Sequence, residues 1–259
     1  MRIKINDVSL NYELSGSGRT LSLIHGMGNS LSLWEYQLPQ WTKHFQVLAY
    51  DVRGHGQSDK HPGPYSAKMF VNDHYLLLKA LHIEKNFVLG FSMGGVIALQ
   101  FALEHPEMTD ALVVVSSSSE VNEKAIAMYE ERAALVERQG MEAMASIVDI
   151  AFTPDFARQN PSVVARYREI LLQNHPRVYA AAARAMIRYN LTAKLGKISC
   201  PTLVIVGDKD ITVGVGGSVI ISRRIPNSKL TILPGAGHII MNEKPDLFAR
   251  EVLDFLAPL

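Results

Sequence analysis

The chain has 259 residues, of which 47% are hydrophobic and 20% are charged, the balance of an ordinary soluble domain. Its 26 basic and 25 acidic residues give a formal net charge of +1, which argues against a nucleic-acid or anionic-membrane surface. The single cysteine excludes an internal disulfide. Because the N-terminus lacks an apolar signal core and no apolar stretch has the length of a membrane span, about 18 residues, we expect a cytoplasmic protein.

Strands and helices alternate through the first half of the chain. Apolar and polar residues alternate over Arg2–Ile5 and Val8–Leu14, which predicts a β-hairpin. Short apolar runs predict four further strands, and apolar residues at helical spacing predict two helices. The strands are Leu21–Ile24, Phe45–Tyr50, Phe87–Leu89 and Ala111–Val115, and the helices are Ala67–Leu81 and Val96–Glu104.

The composition changes between Glu120 and about Asn190. This region is rich in Ala, Glu, Arg and Met, contains no convincing strand and is interrupted by three prolines, so it predicts about four helices joined by short turns. The strand pattern returns at Thr202–Val206 and Leu230–Leu233, and an amphipathic helix is predicted over Pro245–Leu256.

This order of elements predicts an α/β fold, with a mostly parallel eight-stranded sheet and helices on both of its faces. Residues 1–119 and 191–259 are expected to form this core, and residues 120–190 a helical cap. Active sites of such sheets lie outside the carboxyl ends of the strands. An insertion that leaves from such an end can therefore cover the site as a lid.

One of these strand ends carries the motif G-x-S-x-G, written here Gly90-Phe91-Ser92-Met93-Gly94. An apolar strand precedes it and a helix follows, the setting in which a sharp turn exposes the serine as a nucleophile. The glycines keep side-chain bulk away from that turn. Met93 would offer its backbone N–H at the start of the helix, where a developing oxyanion is stabilised. The strand before the motif and the helix after it are stronger evidence than the motif itself, since so short a pattern also occurs by chance.

Two later strands end in residues that complete this chemistry. Asp208 and Asp210 follow Thr202–Val206, and His238 follows Leu230–Leu233 in a glycine-flanked loop. Serine, acid and histidine thus occur in the order known for one class of hydrolase. The order alone leaves both aspartates as candidates for the acid.

With these segments, the loop His25-Gly26-Met27-Gly28 and the D-x-R-G-x-G-x-S-D run over 51–59, the chain resembles the α/β-hydrolases from end to end. Within that family it is similar to small carboxylesterases, β-ketoadipate enol-lactonases and cofactor-free haloperoxidase-like esterases. The resemblance implies that His238 is the general base. The family spacing G-x-x-D selects Asp210 as the acid, with Asp208 bracing the turn and Glu120 as a third choice.

The resemblance also implies an oxyanion hole made by the backbone N–H groups of Met27 and Met93. His25 is expected to support the oxyanion loop, and His55 and Trp34 are expected to be structural. The 51–59 run is expected to form a tight loop with a local Asp–Arg network. The segment Gly214–Gly217 departs from the family pattern, and its glycines predict a flexible or unusually shaped loop before a helix that starts near Ser218.

The function expected from these residues is hydrolysis of a small-molecule carboxylic ester or lactone through an acyl-enzyme on Ser92. The reaction needs no metal and no organic cofactor. Hydrolysis of a carbon–carbon bond in a diketone-type compound is an alternative with the same triad. A small-molecule receptor on the same fold is a second alternative. A dehalogenase is disfavoured, because it would need an aspartate in place of Ser92.

Overall fold

An eight-stranded sheet forms the centre of the computed structural model, which describes all 259 residues. The strands are β1 (Arg2–Ile5), β2 (Val8–Ser15), β3 (Thr20–Ile24), β4 (Gln46–Tyr50), β5 (Asn86–Phe91), β6 (Thr109–Val115), β7 (Thr202–Gly207) and β8 (Ser228–Leu233). Their spatial order is β1-β2-β4-β3-β5-β6-β7-β8. Only the β1–β2 and β2–β4 pairs are antiparallel, so the predicted mostly parallel sheet is confirmed.

Eleven α-helices connect and cover the strands. They are α1 (Leu38–Trp41), α2 (Ala67–Ala80), α3 (Met93–Glu104), α4 (Glu123–Gln139), α5 (Ile147–Ala151), α6 (Pro154–Gln159), α7 (Pro161–Leu172), α8 (Pro176–Ala185), α9 (Val215–Arg224), α10 (Ile240–Glu243) and α11 (Pro245–Leu256). Helices α2, α3 and α9 pack on one face of the sheet, and α1 and α11 pack on the other. None of the helices combines the length and the apolarity that a membrane span requires.

Strand β6 shows why the sheet is buried on both faces. Ala111, Val113 and Val115 belong to the apolar cluster on one side, and Leu112 and Val114 belong to the cluster on the other. All five side chains are fully buried. A continuous apolar run of this kind is typical of a central parallel strand, which has a helical layer on each side.

A helical insertion, residues 120–190, lies between β6 and β7 and contains α4 to α8. Its two ends meet, because Glu120 and Asn190 form an isolated antiparallel bridge and the Leu191 N–H donates to the Ser119 carbonyl at 2.8 Å. Helices α6, α7 and α8 each begin at a proline, which suits the first turn of a helix. The insertion thus has five helices where about four were predicted, since the five-residue α5 is too short to show a helical period.

The segment Gly214–Gly217 was predicted as a flexible or unusually shaped loop before a helix near Ser218, but the helix begins earlier and includes most of the segment. Gly214 has a φ of 80° and precedes α9, which begins at Val215, so Gly216 and Gly217 lie in its first turn. A Cβ at Gly217 would lie 3.0 Å from the Ser117 carbonyl oxygen. Gly217 therefore lets α9 pack closely against the segment that follows β6.

The predicted local Asp–Arg network of the 51–59 loop is also wrong in its partners. Arg53 donates to Asp73 of α2 through Nε at 2.6 Å and Nη2 at 2.7 Å, and it also contacts Asp7. Asp51 instead accepts the backbone N–H groups of Leu31 at 2.7 Å and Gln57 at 2.8 Å. The loop is held by partners that are distant in sequence, which residue spacing within the loop cannot reveal.

The buried Arg53–Asp73 pair is expected to dominate the stability of this loop. Asp73→Ala leaves a guanidinium that is only 3% exposed without its buried partner, so the free energy of unfolding should fall by about 3 kcal/mol. Asp7→Ala removes the 55%-exposed partner of the same guanidinium and should cost about 1 kcal/mol or less. Urea unfolding followed by circular dichroism measures both. Equal losses in the two variants would contradict the assignment.

Candidate active site

Ser92 lies in the tight turn between β5 and α3, with a φ of 54° and a ψ of −115°. A Cβ at Gly90 would lie 2.1 Å from the Gly94 carbonyl oxygen, and one at Gly94 would lie 2.0 Å from the Ile24 carbonyl oxygen. No side chain fits at either place, so both glycines are required. The Ser92 N–H donates to the Val115 carbonyl at 2.9 Å, and the turn is thereby anchored to β6.

Ser92, His238 and Asp210 form a continuous line of hydrogen bonds. His238 Nε2 lies 3.2 Å from Ser92 Oγ, and His238 Nδ1 lies 2.9 Å from Asp210 Oδ2. The ionised carboxylate can only accept, so Nδ1 carries the proton and donates it. In the neutral imidazole Nε2 is then free to accept the serine proton. The three residues follow β5, β7 and β8, which are parallel and end at the same edge of the sheet.

Asp210 is buried, yet its surroundings keep it ionised. Burial alone raises the pKa of this carboxyl, but the charge and hydrogen bond of His238 and the N–H groups of Val213 and Thr212 outweigh it and lower the pKa to about 2. The two N–H groups bind Oδ1 at 3.0 and 2.9 Å. The carboxylate therefore has one oxygen fixed by its own loop and the other directed at His238.

The other two candidate acids do not contact His238. Asp208 Oδ1 accepts the Gly235 N–H at 2.7 Å, so it links the loops after β7 and β8. Glu120 is exposed and lies at the root of the helical insertion, in its bridge with Asn190. Of the three carboxylates considered from the sequence, the structure brings only Asp210 to the histidine.

The N–H groups of Met27 and Met93 lie in the two chain segments that flank Ser92. Met93 is the first residue of α3, so its N–H lies outside the intrahelical hydrogen-bond pattern and at the positive end of the helix dipole. The Met27 N–H, in the loop after β3, has no acceptor among the turn and loop hydrogen bonds. Both methionines line the same small cavity as Ser92. Two donors beside a nucleophile are the arrangement that stabilises an oxyanion.

His25 supports the loop that carries Met27. Its Nδ1 donates to the Gly26 carbonyl at 2.7 Å and its Nε2 accepts the Val52 N–H at 3.0 Å. Burial lowers the pKa of His25 and fixes it as the neutral ring that both contacts require. His55 is also fully buried, and burial lowers its pKa to about 3. Trp34 is buried against Trp41, away from the line of hydrogen bonds.

The cavity at Ser92 is small and is closed by the helical insertion. Its volume of about 30 Å³ holds about two water molecules. Tyr129 of α4 lines it together with Val213, and both residues also line an adjoining pocket of about 210 Å³ between α4 and the start of α9. A groove of about 1060 Å³ lies elsewhere, along α6 and the loop after β8, and does not include Ser92. Of these three spaces only the smallest contains Ser92, so it is the one that belongs to the candidate active site.

Sequence reasoning missed the residues that the insertion contributes. Tyr129 has no hydrogen-bond partner for its hydroxyl group, and Arg132, one turn further along α4, has no carboxylate partner and lies 5.9 Å from the Tyr129 ring. The other arginines of the insertion are exposed or paired, Arg184 with Glu137 among them. No local signal marks Tyr129 or Arg132, because their positions depend on how α4 packs over the sheet.

The sheet order, the serine turn and the order of the loops that surround it define an α/β-hydrolase. A family model described as alpha/beta hydrolase fold matches residues 19–245, and the chain belongs to that family. It is 31% identical over 249 residues to 3-oxoadipate enol-lactonase 2 of Acinetobacter baylyi, covering 95% of this chain and 92% of that one.

Two solved structures are similar over almost their whole length. The enol-lactonase of Burkholderia xenovorans has a TM-score of 0.95 and 28% identity, with 99% of both chains covered. A thermophilic esterase of Thermogutta terrifontis has a TM-score of 0.94 and 27% identity, with 99% of this chain and 98% of that one covered. These similarities support the predicted fold and a hydrolase of the esterase or lactonase type.

The geometry predicts which aspartate matters for the reaction. Asp210→Asn removes the acceptor that fixes the His238 tautomer, so kcat should fall by about 10⁴. Asp208→Asn, two residues away, should leave kcat within about threefold, because Asp208 contacts the Gly235 N–H and the exposed Lys209 but not His238. Steady-state hydrolysis of a p-nitrophenyl ester compares the two. A larger loss in the Asp208 variant would show that the acid is misassigned.

Proposed function

We propose that this protein hydrolyses carboxylic esters or lactones through an acyl-enzyme on Ser92. The observation that carries the proposal is the hydrogen-bonded line from Ser92 through His238 to the buried Asp210. The backbone N–H groups of Met27 and Met93 beside the serine support it. Nucleophile, base, orienting carboxylate and oxyanion donors are together sufficient for acyl transfer.

In the proposed acylation, Ser92 Oγ attacks the substrate carbonyl carbon while its proton moves to His238 Nε2. The carbonyl oxygen becomes an oxyanion that accepts the N–H groups of Met27 and Met93. The carbon–oxygen bond to the leaving group then breaks, and His238 returns the proton to the departing alkoxide. Asp210 remains ionised and stabilises the imidazolium, in keeping with its lowered pKa.

Deacylation repeats these steps with water as the nucleophile. His238 removes a proton from the water, the tetrahedral intermediate collapses, and Ser92 recovers its proton with release of the carboxylic acid. For a lactone the leaving alcohol stays attached to the acyl group, so the product is a single hydroxy acid. The enol-lactonase and esterase names of the relatives support both substrate types.

We propose the helical insertion, residues 120–190, as the cap of this site. The cavity volume of about 30 Å³ is far below the volume of roughly 300 Å³ or more that is usual for ligand pockets. The cap therefore has to move when a substrate binds. The adjoining pocket of about 210 Å³ shares Tyr129 and Val213 with it and would receive the larger end of the substrate. Small and medium acyl groups fit this space best.

Arg132 favours a substrate that carries its own carboxylate. It is half-buried on α4 and forms no ion pair. Burial raises the pKa of Tyr129, which lines the cavity at Ser92, and the positive charge of Arg132 opposes that shift. An arginine without an internal partner is a suitable anchor for a carboxylate. The half-ester of a dicarboxylic acid therefore belongs among the first substrates to be tried.

Ser92→Ala should abolish the acyl-enzyme, because no other hydroxyl group donates a hydrogen bond to His238. We expect kcat to fall by about 10⁶, the scale measured for loss of such a nucleophile elsewhere. The test is a panel of p-nitrophenyl esters of increasing chain length, γ-lactones and a dicarboxylic half-ester. Wild type should also form a covalent phosphonate adduct, visible by mass spectrometry, that the variant lacks.

Two results would overturn the proposal. Normal ester hydrolysis by Ser92→Ala would end the nucleophile assignment. Wild-type turnover of a diketone-type compound without any turnover of esters or lactones would identify a carbon–carbon bond hydrolase instead.

Val213 is expected to limit the size of the acyl group. Val213 lines both the cavity at Ser92 and the adjoining pocket, so Val213→Ala should join the two spaces. We expect kcat/KM for a longer acyl chain to rise by about tenfold relative to the acetyl ester, because room for one or two additional methylene groups has an effect of about this size in a binding pocket. Ile220→Ala is the control, since Ile220 lines only the adjoining pocket. An unchanged chain-length profile in Val213→Ala would show that the substrate follows another path.

A further inference from the structure

Glu243, the last residue of α10, is a buried carboxylate that the proposed reaction does not use. Its Oε1 accepts the Gly237 N–H at 3.0 Å and the Thr153 N–H at 3.2 Å, and its Oε2 accepts the Thr153 hydroxyl group at 2.7 Å. Gly237 directly precedes His238, and Thr153 belongs to the helical insertion. The side chain therefore connects the histidine loop to the insertion.

The same junction holds the backbone of His238 itself. The His238 and Ile239 N–H groups both donate to the carbonyl of Ala151, the last residue of α5, at 3.0 and 3.2 Å. Three consecutive N–H groups, from Gly237 to Ile239, are thus bound by Glu243 and by the helical insertion. The histidine loop depends on these contacts for its position rather than on the sheet alone.

Close packing adds to these hydrogen bonds. A Cβ at Gly237 would lie 2.5 Å from Glu243 Oε1 and 3.1 Å from the Ala151 carbonyl oxygen. The chain just before His238 is therefore enclosed between the Glu243 carboxylate and the insertion. On the opposite side the imidazole ring packs against Phe91, with ring centroids 4.8 Å apart. The ring is thus held by Phe91 and Asp210, and its backbone N–H is held by Ala151.

Glu243 loses hydration when its carboxylate is buried in these contacts. Burial raises the pKa of its carboxyl group, against which the hydrogen bonds of Thr153 and Gly237 act. No lysine, arginine or histidine forms an ion pair with it, so it is not part of a stabilising salt bridge. A buried acceptor whose partners are all N–H and O–H groups of two loops serves to hold those loops in one arrangement.

We propose that Glu243 is a positioning residue for His238, which it holds at hydrogen-bond distance from Ser92 by binding the histidine loop to Thr153 of the insertion. This inference rests on the proposed acyl-enzyme function. A displacement of about 1 Å at a reacting group costs as much as 10²-fold in rate. Loss of Glu243 is therefore expected to lower kcat while leaving substrate binding nearly unchanged.

Glu243→Ala should lower kcat for a p-nitrophenyl ester by about 10- to 100-fold, with KM changed by less than about threefold. Glu243→Gln is the conservative variant. Its carbonyl oxygen can accept the Gly237 and Thr153 N–H groups while its amide donates to the Thr153 hydroxyl group, so kcat should stay within about threefold of wild type. Thr153→Val keeps the backbone N–H bond to Glu243 but removes the hydroxyl bond to Oε2 and the longer capping contact with the Phe156 N–H, so it should give an intermediate loss.

Glu251→Ala is the matched control for a general loss of stability. Glu251 of α11 also accepts a threonine hydroxyl group, that of Thr231 at 3.3 Å, but it has no contact with the histidine loop. Its kcat should equal that of wild type. Thermal unfolding of each variant identifies any that fails to fold, and Thr153→Val then replaces Glu243→Ala in the comparison.

Two readouts separate this inference from the proposed function. The rate of Ser92 phosphonylation by a fluorophosphonate requires His238 to be in place but requires no particular substrate, and it should fall in parallel with kcat in Glu243→Ala. The proton NMR signal of the His238 Nδ1–H should broaden or disappear in that variant and persist in Glu243→Gln.

The inference would be overturned by an unchanged phosphonylation rate in a folded Glu243→Ala, by an equal loss in Glu243→Gln, or by an equal loss in Glu251→Ala. A wild-type protein that is phosphonylated normally but hydrolyses no ester or lactone would overturn the proposed function and leave the positioning of His238 testable.

Discussion

The left-handed backbone of Ser92 is the constraint on which the rest of the site depends. A non-glycine residue in such a conformation costs about 1–3 kcal/mol and persists only where its surroundings enforce it. Here the Val115 carbonyl holds the Ser92 N–H, and Gly94 approaches the end of β3 so closely that no side chain fits between them. The same close approach brings the Met27 loop beside the serine. One strained residue thus determines where the proposed nucleophile and the proposed oxyanion donors meet.

The parallel sheet supplies the other partners without further strain. Strands β5, β7 and β8 end at one edge, so residues 92, 210 and 238 converge although they are far apart in sequence. Burial by itself raises the pKa of Asp210, but His238 and two backbone N–H groups outweigh it and lower the pKa to about 2. The protein thereby keeps a buried negative charge where a positive one develops on the imidazole during the proposed reaction.

The sequence predicted the features that depend on residues close together in the chain, and it did not predict the features that depend on tertiary contacts. The strands and the Ser92 turn follow from apolar periodicity and glycine spacing, and the structure confirms the fold they predict. The partner of Arg53 is Asp73, which no spacing within the loop reveals. The helix after Asp210 begins at Val215 rather than near Ser218, and the close approach of Gly217 to the segment after β6 is a tertiary contact. Tyr129 could not be predicted from the sequence, because only the packing of α4 brings it to the cavity.

The helical insertion contacts the rest of the protein differently on its α5 side and on its α4 side. This difference determines which side can move when a substrate binds. On the α5 side the Ala151 carbonyl binds the His238 N–H, so movement there would displace the proposed general base together with the insertion. On the α4 side Tyr129 closes the cavity without a hydrogen bond to either catalytic loop. A substrate that displaces α4 would leave the line from Ser92 to Asp210 intact. The side that lines the adjoining pocket is therefore the one that can open while the proposed triad stays assembled.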